Sequence, residues 1–404
     1  MTSPFTASEF VRLADIAESI DYGVTAPAVS NPDLPRMLRI TDIQNGRVDW
    51  RTVPGCAIGT VEAERFALRC GDILFARTGA TTGKTYLISE CPKQSVFASY
   101  LIRARLRPKA LPQYVYHYLN SAGYWAQIKA GASGTAQPGV NASKLSNLSL
   151  PLPELPVQIR IAAILDKAAE MRGKRVRVAQ SLYDLRVSAF LHFFGDPVAN
   201  ERGWRTYKVG DLLSQLRTGT KCGPFGSALK KDEYVENGIP VWGIDNVLPN
   251  RFDEGRSLYI TPDKFSQLTP YAVMPGDILI SRAGTVGRMC VAQPTVAKSI
   301  IGTNLIRVAL NTNQVAPEFF TALFTYFGSR FSNLKANGKD DAYSFMNTGA
   351  LSQVRIPVPD IQLQRTYVDY ASRVGNIESK LREDLAAIVD LQRNLAARAF
   401  SGAL

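Results

Sequence analysis

The 404-residue chain holds only two histidines, His117 and His192, and five scattered cysteines (Cys56, Cys70, Cys91, Cys222, Cys290) with no C-x-x-C pair. So few imidazoles leave little material for a His-rich metal centre or a conventional Ser-His-Asp triad. The odd, dispersed cysteines exclude a disulfide framework and read as reduced, buried thiols of a cytosolic protein. No run approaches the roughly twenty apolar residues of a membrane helix. Met1 to Ala14 lacks the basic start and apolar stretch of a secretory signal. Acid is also short: 35 Asp and Glu against 47 Lys and Arg leave a net charge of +12, which points to a polyanionic partner, nucleic acid before membrane. With 46 % hydrophobic and 20 % charged residues, the chain can bury the cores of two or three domains, and wholesale disorder is excluded.

Nucleotide fingerprints are missing too. Gly79-Ala80-Thr81-Thr82-Gly83-Lys84-Thr85 resembles a phosphate-binding P-loop but has three residues between its glycines where the amide cradle needs four. There is no G-x-G-x-x-G dinucleotide motif, and no N-P-P-Y/F or D-P-P-Y/F tetrapeptide of a base methyltransferase. The sequence therefore calls for no cofactor and no metal. Asp72 and Asp277, each in a Gly-Asp-Ile-Leu turn, read as turn aspartates bonding their own backbone. His117 and His192 read as helix-packing and helix-end residues.

What is present is repetition. Gly71-Asp72-Ile73-Leu74-Phe75-Ala76-Arg77-Thr78-Gly79 recurs as Gly276-Asp277-Ile278-Leu279-Ile280-Ser281-Arg282-Ala283-Gly284, at an offset of 205. Leu101-Ile102-Arg103 matches Leu305-Ile306-Arg307 at 204, and Leu150-Pro151-Leu152-Pro153 and Gln158 match Ile356-Pro357-Val358-Pro359 and Gln364 at 206. Val11 to Ile16 parallels Tyr207 to Leu212 at 196, so the second copy carries about eight extra residues, assigned to a Gly/Lys-rich loop at Thr218 to Lys231. A near-constant offset over most of the chain means duplication.

Each copy begins with β-like runs (Ile73 to Ala76, Val96 to Ala104; Asp277 to Ser281, Asn304 to Leu310) and one aromatic helical stretch (Gln113 to Lys129; Pro317 to Lys335). After a proline stop, each ends in a long proline-free helix. Heptad-like positions run Ile161, Ile164, Ala168, Met171, Arg175, Val178, Leu182, Leu185, Ala189 and Tyr367, Tyr370, Val374, Ile377, Leu381, Asp384, Ile388, Leu391, Leu395. The expected architecture is α+β: two pseudo-repeated mixed domains separated by two long helices that pair as an antiparallel coiled coil. Its parts are residues 1–155, a central helix at 156–198, residues 199–360 and a C-terminal helix at 361–404. In that seam Arg175 and Asp384 meet only if the register slips by one layer.

Basic or polar residues in glycine-containing loops are the candidates for DNA contact: Arg77, Thr78 and Lys84 in the first copy, Arg282 and Arg288 in the second, and Lys221, Lys230 and Lys231 in the inserted loop. Arginines beside glycines suit close approach to a phosphate backbone or bidentate reading of guanine in the major groove. Ser133 to Gln137 and Asn337 to Asp340 form matched polar loops. From Arg160 to Arg186, seven basic residues face three acidic ones, a net +4 suited to DNA or to acidic partners.

Gly134-Thr135-Ala136-Gln137-Pro138-Gly139-Val140-Asn141, then Leu145, Leu150-Pro151-Leu152-Pro153 and Gln158-Ile159-Arg160-Ile161, resembles the conserved-region signature of specificity subunits of Type I restriction–modification systems. The second copy is similar from Asn347 to Arg365 but departs upstream, where Asp341-Ala342-Tyr343-Ser344-Phe345 stands. The family's Glu-Gln pair is Val157-Gln158 and Leu363-Gln364 here. The resemblance implies a non-catalytic, cytoplasmic subunit without cofactor. Each target recognition domain reads one half of a bipartite site in double-stranded DNA. The helices act as spacer and dock two modification subunits, which carry S-adenosylmethionine and methylate adenine; restriction subunits add translocation and cleavage. Helices of about 35 to 40 residues at 1.5 Å each span roughly 50 to 60 Å, which suits reading heads one to one and a half DNA turns apart. The alternative within the same class is the specificity subunit of a methylation-only system. A stand-alone nuclease with a loosely spaced carboxylate set and a scaffold that binds only protein are the readings from other classes.

Overall fold

The computed structural model describes residues 9–31, 33–44, 46–130, 139–283, 286–331 and 348–403. The polar loops at Ser133 to Gln137 and Asn337 to Asp340, the Gly134 to Pro138 part of the signature, Asp341 to Phe345, and Gly284 lie outside the described residues. Two compact units form: residues 1–177 with 382–404, and residues 178–381.

In the first unit, β1 (Ala17–Tyr22), β2 (Ile73–Ala76), β3 (Thr85–Leu87) and β4 (Leu101–Leu106) make an antiparallel sheet of order β1-β4-β2-β3. Its central strand is a short, unbroken apolar run because both faces are covered. Ile73 and Phe75 pack on Tyr114, Val115 and Tyr118, whereas Leu74 packs with Leu38, Phe97 and Leu101. A second sheet holds Ser95–Phe97 parallel to Arg36–Leu38. Pro112 at the first turn, where a missing N–H costs nothing, opens α1 (Pro112–Tyr118). The helical stretch expected as one piece breaks at Leu119 to Ser121, and a separate helix runs Ala122–Ala130. The 40-residue α2 (Leu155–Phe194) follows.

The second unit repeats this plan: β5 (Thr220–Cys222), β6 (Ile278–Ser281), β7 (Met289–Val291) and β8 (Leu305–Val308) in order β5-β8-β6-β7, then α3 (Pro317–Phe327) and α4 (Ile361–Phe400). A two-stranded pair closes each unit, Phe10–Arg12 with Ser149–Pro151 and Thr206–Lys208 with Arg355–Pro357.

The duplicated ladder corrects the placement of the insertion. Asp21 pairs with Arg103 and Lys221 with Arg307, so Lys221 lies on strand β5 and not in an inserted loop. The offset is 196 at Ile16/Leu212, 200 at Asp21/Lys221 and 204 at Leu38/Trp242. The extra residues therefore split on either side of a strand whose pairing could not be interrupted.

The long helices pair antiparallel. In the first unit Ile161 and Leu165 of α2 share a core with Leu395, Ala396, Ala399 and Phe400 of α4; in the second, Phe190 and Phe194 share one with Tyr367 and Ala371. Half of the expected seam is buried (Ile161, Ala168, Leu182, Ala189; Tyr367, Val374, Leu381, Ile388). The other half is not: Met171, Val178, Leu185, Ile377 and Leu391 are exposed, and the second layer falls one residue later in the heptad, at Leu165, Ala179, Arg186, Ala371, Glu378, Leu385 and Gln392. The seam thus steps four then three, and its second layer, Leu165 and Leu385 apart, is built from small or polar residues. Arg175 does reach Asp384, at 3.2 Å, and Arg186 pairs with Glu378 at 3.0 Å.

The cysteines are free, but only Cys56 and Cys290 are buried; Cys222 and Cys91 are half-buried and Cys70 is exposed. Burial pushes the Cys290 thiol up to about 12. Among the described residues no helix is long and apolar enough to cross a membrane.

Candidate nucleic-acid interface

Each unit presents a β-hairpin mouth of the same construction. In the first, the Ala76 N–H donates to the Lys84 carbonyl (2.8 Å) and the Gly83 N–H to the Ala76 carbonyl (2.9 Å); in the second, Ser281 donates to Arg288 (2.8 Å) and Gly287 to Ser281 (3.0 Å). Gly83 and Gly287 have φ of +82° and +85°, the left-handed region glycine enters without strain. This turn brings Arg77 and Lys84 together at one mouth, and Arg282 and Arg288 at the other. In the Gly79 to Thr85 run, Gly79–Thr81 forms a 3-10 turn and Thr85 opens β3, so no helix follows to aim amides at a phosphate.

The leading arginines are held alike. The Arg77 N–H donates to the Tyr100 carbonyl (3.0 Å) and the Arg282 N–H to the Asn304 carbonyl (2.8 Å). The Arg77 guanidinium lies 4.9 Å from the centre of the Tyr22 ring, and that of Arg282 lies 4.7 Å from the Phe225 ring. An arginine over an aromatic face keeps its fork of donors pre-organised. Phe225 and Tyr22 are themselves exposed. Arg77, Thr78, Lys84, Arg288, Lys230 and Lys231 are exposed; Arg282 and Lys221 are half-buried, the Lys221 ammonium 4.8 Å from the Tyr271 ring. Val140, next to the signature's glycine, donates to the Arg77 carbonyl at 3.0 Å, and Asn141 caps the helix Ala142–Ser146. That end of the signature braces the hairpin.

Other duplicated charges are structural. Arg103 and Arg307 are buried and donate to the Ala67 and Ala272 carbonyls at 2.8 and 2.9 Å. Asp72 accepts from the Arg69 N–H (2.8 Å) and from Arg105, and Asp277 from the Met274 N–H (2.8 Å) and from Arg217. Both are backbone-bonded turn aspartates, each with an arginine partner. Burial drives the Asp277 carboxyl above its ordinary value despite those donors. His117 reaches Asp166 at 2.7 Å, tying α1 to α2, and the His192 carbonyl accepts from Arg202. Among the described residues no group of three or more His, Cys, Asp or Glu is placed to hold a metal.

Reading by motif alone missed the aromatic platforms Tyr22 and Phe225, and also Gly23 and Gly223. A Cβ on Gly223 would sit 1.9 Å from the Gly302 carbonyl oxygen, and one on Gly23 would sit 2.3 Å from that of Phe97. Each glycine directly follows the first strand of its sheet, a duplicated position at offset 200 that marks a close backbone approach. Gly223→Ala is expected to cost roughly 3 kcal/mol, the top of the overpacking range, because the obstructing atom is backbone. Thermal unfolding should show a lowered transition for the second unit and an unchanged one for the first.

Two equivalent basic hairpin mouths on repeated α+β units, joined by paired long helices, define a duplicated recognition scaffold. The Type I restriction modification DNA specificity domain matches twice, over residues 8–174 and 201–387, and the chain belongs to that family. It is 21 % identical over 327 residues to the Type I restriction enzyme MjaVIII specificity subunit of Methanocaldococcus jannaschii, covering 77 % of this chain and 74 % of that protein. It is 23 % identical over 307 residues to the EcoR124I/EcoR124II specificity subunit of Escherichia coli, covering 70 % and 68 %. The crystal structure of the Type I restriction-modification S subunit from M. genitalium shares the fold, with a TM-score of 0.59 at 15 % identity over 99 % of this chain and 97 % of that one.

Proposed function

We propose that this chain is the DNA-specificity subunit of a Type I restriction–modification complex, itself without catalytic chemistry, and that residues 1–155 and 199–360 each read one half of a bipartite duplex target. The helices at 156–198 and 361–404 then serve as the docking surface for two modification subunits, with restriction subunits joining where cleavage follows. The observation that carries this reading is the repeated hairpin mouth with an arginine over an aromatic ring, Arg77 on Tyr22 and Arg282 on Phe225. Base edges are read from such rigid presentations, while exposed cations such as Lys84, Arg288, Lys230 and Lys231 hold phosphates and Thr78 adds a hydroxyl at the first mouth. Lys221, half-buried on its strand, contributes field more than contact. The exposed apolar residues Met171, Val178, Leu185, Ile377 and Leu391 support docking, because they give a partner apolar helix surface to bury. A subunit acting on chromosomal DNA belongs in the cytoplasm.

The test is to express the chain with its cognate modification subunit and map methylated adenines genome-wide. A bipartite motif with a fixed gap is expected, and exchanging residues 1–155 for those of a relative should change one half only. Unmethylated DNA or a single contiguous motif would sink the reading.

A further inference from the structure

The two units are not equally complete. The first contains a groove of about 910 Å3 between α1, α2 and the end of α4, lined in part by Ser121, Ala122, Ala396 and Ala397. At the equivalent positions, by offsets of 205 and 206, the second unit has Tyr326, Phe327, Phe190 and Leu191. There Phe190 occupies the place: it stands 5.2 Å from Phe327, 6.3 Å from Tyr326 and 5.6 Å from Tyr367, and is wholly buried, while Leu191 is exposed. Four large side chains in one copy are thus four small ones in the other, all on one groove. The same fold accommodates aromatic rings at this place, and the first unit leaves it open.

The charges differ in the same sense. In the second unit Arg186 is answered by Glu378 at 3.0 Å. In the first, Gln392 stands where Arg186 does and Arg172 where Glu378 does, so the pair is gone. Arg172 lines the groove and has no ion-pair or hydrogen-bond partner among the described residues. Arg393 adds a second cation there, and among the described residues it is bonded to Asp390 alone, on its own exposed helix face at 3.2 Å. His117, the remaining titratable group that faces the groove apart from tyrosines, is engaged with Asp166.

We propose that the groove of the first unit docks an aromatic side chain accompanied by a carboxylate, supplied by a modification subunit; this rests on the reading that such subunits assemble on the chain. The ring takes the volume that Phe190 and Tyr326 fill in the second unit, and the carboxylate answers Arg172. The two units therefore offer unequal docking places, and the first holds its partner through an anchor the second has built in.

The experiment uses the full chain with its cognate modification subunit and counts subunits by native mass spectrometry. Ala122→Phe with Ala396→Phe supplies the counterparts of the second unit's Phe327 and Phe190, and Arg172→Glu reverses the charge at an exposed site. Either change should weaken uptake of one modification subunit at least about tenfold, so that assembly stops at one per chain. The melting temperature of the free chain should hold or rise, because a groove has been filled. Unchanged uptake of two subunits by both variants overturns the proposal. A wild-type chain that dimerises alone while the filled variant does not assigns the groove to a second copy and overturns it as well. So does a gain in uptake on deleting residues 1–8, which would make the chain's own start the occupant. A wild-type chain that takes up no modification subunit brings down the functional reading together with this one, whereas a wild type that directs a bipartite motif with variants that assemble normally brings down the groove alone.

Discussion

Arg282→Ala is expected to relax base selection at one base pair in the half of the target read by the second unit and to leave the other half as it was. Arg282 is held at its main chain and by a ring contact on its guanidinium. Its backbone N–H is bonded to Asn304, its plane lies over Phe225, and its Nε and Nη1 are buried with no hydrogen-bond partner among the described residues. A bidentate arginine–guanine contact discriminates by roughly 1–3 kcal/mol, which is about fivefold to 150-fold in preference at one base pair. Arg282→Lys should fail nearly as badly, since an ammonium offers a point charge where a planar fork is needed. Arg77→Ala should produce the mirror result in the first half. Lys230→Ala with Lys231→Ala should instead lower affinity for every sequence alike and flatten the salt dependence. Methylation mapping reads the first effect and binding across a salt series reads the second. A uniform loss of affinity in Arg282→Ala, with the motif intact, would demote that residue to a phosphate contact.

How much of this was legible beforehand follows from what sequence encodes locally. The central strands Ile73–Ala76 and Ile278–Ser281 were readable because burial on both faces forces an unbroken apolar run, and the turn aspartates because the N–H that donates to them is three residues away. Proline punctuation announced the long helices. The placement of Lys221 was not readable: offsets show how many residues are added, and only the ladder to Arg307 shows where a strand must continue through them. The second seam layer was missed because a heptad search rewards large apolar side chains, while Ala179, Arg186, Ala371 and Gln392 sit in the layer that such side chains were expected to fill. Arg175 and Asp384, whose meeting hung on a register that the sequence does not fix, answer one another. The aromatic partners of Arg77 and Arg282 were invisible for a further reason. Tyr22 and Phe225 do not align with each other, so each unit builds its platform from a different point after the first strand.

Gln158 and Gln364 carried a matching offset and a place in the signature but no stated role in the sequence, yet their replacement is expected to have the largest effect on stability. Both are fully buried. Gln158 accepts from the Leu111 N–H at 2.7 Å and donates to the Lys109 and Pro153 carbonyls at 3.0 and 2.8 Å. Gln364 repeats the set with Ala316 at 2.9 Å, Gln314 at 3.1 Å and Pro359 at 2.8 Å. Leu111 and Ala316 are the N-cap residues of α1 and α3, so each glutamine locks the recognition region's helix to the first turn of the long one. Gln158→Leu keeps the volume but strands one donor and two acceptors in the interior, at roughly 3 kcal/mol or more. Because each joint belongs to its own unit, Gln158→Leu should lower only the unfolding transition of the first unit and blur methylation of its half-site, and Gln364→Leu the converse. Gln158→Glu separates shape from chemistry. A carboxylate there would face two carbonyls, so its folded pKa must lie above the unfolded value. The folded state then binds the extra proton, and the variant should be most stable below the ordinary carboxylate range and lose stability as pH rises through the raised value. Wild-type protein should show no such slope arising from this site. Equal stability of Gln158→Glu at pH 5 and pH 8 in urea titrations would mean that the joint is open to water and that the glutamine is not what holds it.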